Sequence, residues 1–210
     1  MVKMTREEMV ETVPQHGFFG HPRGLGILFF VEFWERFSYY GMRAILLYYL
    51  YFSVSQGGLG LDKITAQQIM AMYGSLIFMT GILGGWVADR LLGSRRSLLL
   101  GSILIMFGHV VLSLPFGLGA FLISMILIIV GSGLMKPNIS NVVGGLYHKN
   151  DNRLDAGFVI FYMSVNMGVL LSPLIIHKVR LNVGFHQGFS IAAFGMFLTL
   201  IAYVLFQRKS

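Results

Sequence analysis

Residues 32–41 read EFWERFSYYG: two acids and a base inside the greasy run GLGILFFVEFWERFSYYGMRAILLYYLYF, with a second base, Arg43, close behind. Why a segment built to be buried should hold Glu32, Glu35, Arg36 and Arg43 depends on what surrounds the rest of the chain. Of 210 residues, 55% are hydrophobic and 12% charged, against about 25% charged in an ordinary soluble domain. Mean hydropathy is +0.71. Such a chain belongs in a bilayer, where the exterior is apolar as well as the core.

Net charge is +7, which in a soluble protein would raise nucleic-acid binding. Here the bases punctuate hydrophobic runs instead of forming one patch interleaved with aromatics. That placement fits loops on the cytoplasmic side and argues against a nucleic-acid partner. The chain has no cysteine, hence no disulfide framework and no thiolate metal site. No histidine or carboxylate pair has metal-ligand spacing, and no cofactor is implied. GSG at 131–133 lies inside a hydrophobic run and is no phosphate loop. The first 23 residues are polar and mixed in charge, unlike a signal peptide.

A spanning helix needs about 20 mostly apolar residues, and six segments qualify: 24–53, 66–91, 97–115, 119–144, 155–177 and 187–207. The breaks between them are SQGGLGLDKIT, GSRR, LPFGLG, GLYHKNDNR and HKVRLNVG. The expected fold is therefore an all-α membrane protein, with residues 1–23 a cytoplasmic N-terminal segment and residues 24–210 a six-helix transmembrane bundle. With both termini in the cytoplasm, the inner side holds Lys3, Arg6, Arg23, Arg90, Arg95, Arg96, Lys149, Arg153, Arg208 and Lys209. The outer side holds Lys63, Lys178 and Arg180. The bias favours that orientation. Arg36, Arg43 and Lys136 then remain inside the membrane.

At about 100° per residue, Glu32, Glu35, Arg36, Tyr39, Tyr40 and Arg43 share one face of the first helix, and Phe33, Trp34, Phe37, Gly41 and Met42 take the other. A charge at a membrane-helix centre costs roughly 2.5–3.5 kcal/mol on insertion scales. Glu32 and Arg36, four apart, can offset one another. A structural ion pair that fixes helix packing explains that pair. It leaves Arg43 without an acid one turn away and does not explain Lys136.

Lys136 lies deep in the fourth helix, just before Pro137, which frees a carbonyl and can kink the helix. Its nearest acids are Glu32 and Glu35; the alternative is a lysine that snorkels to the interface. The fifth helix carries Tyr162 and Asn166 on one face, and the second carries Tyr73 and Phe78, residues more often packing than pocket. Gly81 with Gly85, Gly157 and Gly168 permit close helix approach. His109 reads as a hydrogen-bonded packing residue.

EFWERFSYYG resembles the ExxERFxYYG motif of the proton-coupled oligopeptide transporters, a branch of the major facilitator superfamily. GGWVADRLLGSRR resembles that family's connection between helices 2 and 3, FYMSVNMG its FYxxINxG signature with Val165 in place of isoleucine, and GLMKPNIS its helix 4 lysine region. The resemblance covers nearly the whole chain. It implies import of di- and tripeptides with protons. Glu32, Glu35 and Arg36, linked to Lys136, would form the proton-coupling network. Arg43 and Lys136 would face the peptide carboxylate, with Tyr40, Asn166 and Phe78 lining the pocket. Asp89, Arg90, Arg95 and Arg96 would latch the cytoplasmic side. Family members have two six-helix halves, so the chain reads as the N-terminal half of a twelve-or-more-helix carrier in a plasma membrane, the bacterial inner membrane. Its partners are then peptides, protons, the lipid bilayer and the C-terminal six-helix half. Within it, helices 1–3 and 4–6 are candidates for inverted repeats.

Two other readings compete. A six-helix channel or carrier could assemble its own partner as a homodimer. An intramembrane enzyme would need a nucleophile–base or metal constellation, which the sequence lacks; Glu32 and Glu35, three apart on one helix, are better placed to hand over protons.

Overall fold

The structure, a computed structural model, describes residues 17–148 and 151–207. Lys3, Arg6, Lys149, Arg208 and Lys209, which enter the charge asymmetry, lie outside the described residues, as does most of the 1–23 segment. Among the described residues six long helices follow one another: α1 (Arg23–Tyr51), α2 (Lys63–Val87), α3 (Ser94–Ser113), α4 (Gly117–Gly144), α5 (Leu154–Asn182) and α6 (Phe185–Gln207). Five of them, α2 to α6, are long and apolar enough to cross a membrane. α1 is as long but carries the charged stripe.

Boundaries differ from the sequence reading where local chemistry overrides hydropathy. α2 starts at Lys63 because Asp62 caps it, its side chain accepting from the Thr65 amide at 2.9 Å. GSRR is not a loop. α2 runs on through a π-helical turn, Ala88–Leu92, then Gly93 at φ 78° turns the chain directly into α3. A left-handed residue of this kind is accessible to glycine without strain. Arg95 and Arg96 therefore belong to the first turn of α3.

α1 packs along α5 and α6, α4 packs along α2 and α3, and α3 packs against α6. Exchanging α1 with α4, α2 with α5 and α3 with α6 turns this set of contacts into itself. That is the pattern expected of two related three-helix units. The close contacts obey the same exchange. Gly84 of α2 lies against the Gly133 backbone of α4, and Gly168 of α5 lies against the Phe33 carbonyl and Phe37 amide of α1. At each contact a side chain would meet backbone, so glycine allows the approach. Gly81, by contrast, faces open space, and Gly85 is only in ordinary contact with Pro137. The sequence reading thus named the wrong glycines on α2. Gly157 does serve close approach, against the Tyr147 ring.

Pro137 lies within α4, which continues as α-helix to Gly144. The carbonyl that proline leaves without its usual donor is that of Gly133, the same group that faces Gly84. Asn138 adds a strap: its side-chain amide donates to Leu134 at 2.7 Å and to the Gly84 carbonyl at 3.5 Å. Thr80 reaches across from α2 to the Ile129 carbonyl, 3.1 Å.

The buried apolar residues form two clusters, one at each end of the bundle. One contains Leu25, Leu28 and Val31 of α1 with Met135, Ile139 and Val142 of α4. The other contains Phe37, Met42 and Ile45 of α1 with Phe121, Met125 and Ile128 of α4. Glu32, Glu35 and Arg36 fall between them along α1.

At the end where α1 begins, the His21 Nδ1 lies 2.8 Å from the Tyr147 hydroxyl, and Arg153 donates to the Gly20 carbonyl while gripping Asp151. Burial, then the nearby Arg153 guanidinium, push the His21 pKa down, so its ring stays neutral and can accept the tyrosine proton. His109 departs from expectation. It is fully buried in α3, yet neither ring nitrogen has a hydrogen-bond partner among the described residues.

Candidate functional site

Helical periodicity puts the charges of α1 on the face that meets the waist of the bundle. Glu32 and Glu35 are 2% and 1% exposed, too little for water to carry their charge. Arg36 Nε lies 2.5 Å from Glu32 Oε1 and 3.2 Å from Glu35 Oε2. One guanidinium is thus shared between two carboxylates. Glu32 Oε2 and Glu35 Oε1 receive no hydrogen bond from the described residues.

Lys136 is half-buried and does not snorkel to an interface. Its ammonium sits over the Tyr39 ring, 3.9 Å from the centroid, a position favoured by the negative face of the ring. No ion pair joins it to Glu32 or Glu35. The Tyr39 hydroxyl accepts from Arg43 Nη1 at 3.2 Å. Tyr39 therefore holds one cation on its face and another at its tip. The sequence put Tyr39 on the polar stripe without giving it a role. Its spacing of four from Arg43 was the available signal, whereas the Lys136 contact joins two helices and has no local trace.

The structure arranges these residues in two neighbouring groups along α1: Glu32 and Glu35 on Arg36, and Lys136 and Arg43 on Tyr39. Tyr40 stacks edge-on against Tyr39, ring centroids 5.0 Å apart, and is half-buried. Asn166 is exposed on α5, and Phe78 is 81% exposed on α2. Neither makes a hydrogen bond or ring contact with the charged residues among the described residues. Asp89 and Arg90 on the π-helical turn and Arg95 and Arg96 on α3 are all exposed, with no ion pair among them. Among the described residues no group of histidines and carboxylates could hold a metal ion.

Glu32, Glu35, Arg36, Tyr39, Arg43 and Lys136 form a charged waist inside an apolar helical bundle. The model of the POT family matches residues 95–209. The chain belongs to the POT family. A relative described as an uncharacterized transporter, YclF of Bacillus subtilis (strain 168), is 57% identical over all of this chain and 43% of its own length. The di-/tripeptide transporter of Lactococcus lactis subsp. cremoris is 56% identical over 89% of this chain and 38% of its own. Among solved structures, a POT family transporter in complex with 5-aminolevulinic acid is 61% identical, with a TM-score of 0.91 over 96% of this chain and 42% of its own. A peptide transporter POT in complex with sulfate is 53% identical, with a TM-score of 0.92 over 99% of this chain and 42% of its own. The chain corresponds to the N-terminal portion of these POT family proteins, about 40% of their length.

Proposed function

We propose that the chain is the N-terminal half of a proton-coupled symporter importing di- and tripeptides by alternating access. It works as a carrier and not as an enzyme, in a bacterial inner membrane, with both termini in the cytoplasm. The single observation that carries this reading is the imbalance at the waist. Two buried carboxylates share one guanidinium, while the nearest free cation, Lys136, rests on an aromatic ring. An uncompensated buried charge is severely destabilising. A proton on Glu32 or Glu35 restores balance with Lys136 on Tyr39; loss of that proton draws Lys136 toward the carboxylates. Binding a proton and moving a lysine are thereby one event.

Arg43 is exposed at the edge of the same waist and, with Lys136, suits an anionic end of the substrate, the peptide C-terminus. Tyr40, Asn166 and Phe78 supply part of the remaining wall. The C-terminal half supplies the rest, and Asp89, Arg90, Arg95 and Arg96 latch against it on the cytoplasmic side. The relatives described as di-/tripeptide transporters support the substrate class.

The test is transport by the full-length protein in proteoliposomes. Glu32→Gln and Glu35→Gln should each abolish dipeptide uptake driven by a pH gradient, while counterflow exchange, which needs no net proton movement, survives. Undiminished gradient-driven uptake in both variants would remove the pair from the mechanism.

A further inference from the structure

A groove of about 380 Å³ opens between α1 and α5, lined by Ala44 and Tyr48 from α1 and by Pro173, His177, Lys178 and Leu181 from α5. Its place in the helical register is informative. Ala44 and Tyr48 follow Tyr40 at successive steps of four. Pro173, His177 and Leu181 follow Asn166 at steps of seven, four and four. Residues so spaced share a helix face. The two helices run side by side in one direction, for Gly168 meets α1 near Phe33 and Phe37 while Gly41 meets α5 at Ser172 and Ile176. The groove therefore continues the face of Tyr40 and Asn166, starting one turn, about 6 Å, beyond Tyr40.

The far end of this groove is cationic. Lys178 is exposed, and Lys63 stands at the same end of the bundle. Arg180 is committed elsewhere. Its guanidinium carbon lies 5.1 Å from the Tyr48 ring centroid, 4.7 Å from that of Phe52 and 4.8 Å from that of Phe185, fixing the Tyr48 wall. The ion pairs among the described residues are those of Arg36 and Arg153, so Lys178 has no acidic partner among them. The local acid, Asp62, is occupied in capping α2.

We infer that Lys178, with His177 beside it, forms an entry subsite that takes the C-terminal carboxylate of a peptide before Arg43 and Lys136 do. The inference rests on the peptide-carrier reading above. An extended dipeptide is about 7 Å long, close to the offset between groove and site, so the two positions are occupied in succession. An entry subsite of this kind raises the rate of productive capture and leaves the later, rate-limiting reorientation alone.

The experiment compares initial uptake of dialanine and dialanine amide by the full-length protein in proteoliposomes, at about 10 mM and about 150 mM salt. Lys178→Gln should lower kcat/KM for dialanine roughly two- to fivefold at low salt, with kcat unchanged and the effect fading at high salt. The amide should show no fall, and Lys178→Arg should restore the wild-type value. An unchanged kcat/KM for dialanine at low salt overturns the subsite. So does an equal fall for acid and amide that disappears in vesicles of neutral lipid, which would make the groove an anionic-lipid site. Wild-type protein that takes up no peptide would overturn the carrier reading itself, and is seen in the control before any variant is made.

Discussion

Tyr39 carries more of the site than its neighbours do. Its ring holds the Lys136 ammonium, and its hydroxyl accepts from Arg43. These contacts can be separated. Tyr39→Phe keeps the ring and loses the hydroxyl, removing a hydrogen bond worth about 0.5–1.5 kcal/mol. Tyr39→Leu also loses a cation–π contact, worth about 2 kcal/mol when desolvated. Titration calorimetry of a free dipeptide on the full-length protein should therefore rank wild type above Tyr39→Phe, and Tyr39→Phe above Tyr39→Leu. Equal losses in the two variants would mean that the ring is not positioning Lys136. For the cations themselves, a charge-assisted hydrogen bond contributes about 1.5–3 kcal/mol. Arg43→Ala and Lys136→Ala should each weaken binding of a free dipeptide by roughly ten- to a hundredfold. A dipeptide amide, which lacks the carboxylate, should lose much less; equal loss would make both cations structural.

At the scale of the helix, legibility followed polarity. The face of α1 could be read from its sequence because charged residues at steps of three and four mark it. α2 is apolar nearly all round, so nothing in its composition fixes which glycine meets a neighbour. Gly81 and Gly85 had the right spacing, yet the contact is made by Gly84, because only its face meets Gly133 of α4. The partner was equally hidden, since Pro137 frees the Gly133 carbonyl four residues before it. His109 failed for a related reason. A histidine inside a helix is expected to find a partner, but neighbouring helices decide whether one is there. The consequence is measurable. A Cβ at position 84 would strike the Gly133 carbonyl, whereas at position 81 it would meet nothing within contact distance. Gly84→Ala should force α2 from α4 and lower the thermal unfolding temperature of the purified full-length protein. Gly81→Ala should be neutral or raise stability by up to about 1 kcal/mol through helix propensity. Two variants with the same melting temperature would show that the close approach at Gly84 contributes nothing.

At the scale of the molecule, the bare faces and the charge distribution point the same way. α2 and α5, which the exchange of helices swaps, expose Met79 and Leu83 on one and Val159 and Met163 on the other. These faces suit burial against the remainder of a longer carrier. Six successive long helices bring the described chain back to the end at which it started, so the His21–Tyr147–Arg153 contacts and the turn at Gly93 share one end, and the 53–61 connection lies at the other. The orientation proposed above rests on charge. Arg90, Arg95, Arg96 and Arg153 mark the first end, while Lys63, Lys178 and Arg180 mark the second. The bias is met when the first end is inside. The chain contains no cysteine, so a single introduced thiol in this portion reports its side directly. In the full-length protein, freed of any other reactive thiol, Ser55→Cys should react with a membrane-impermeant maleimide added to intact cells. Asn152→Cys should react only after the membrane is permeabilised. Both positions are exposed, so a failure to label reflects sidedness and not burial. Labelling of Asn152→Cys in intact cells, with Ser55→Cys protected, would invert the topology. It would also turn the cationic groove at Lys178 toward the cytoplasm, making it an exit for peptide instead of an entrance.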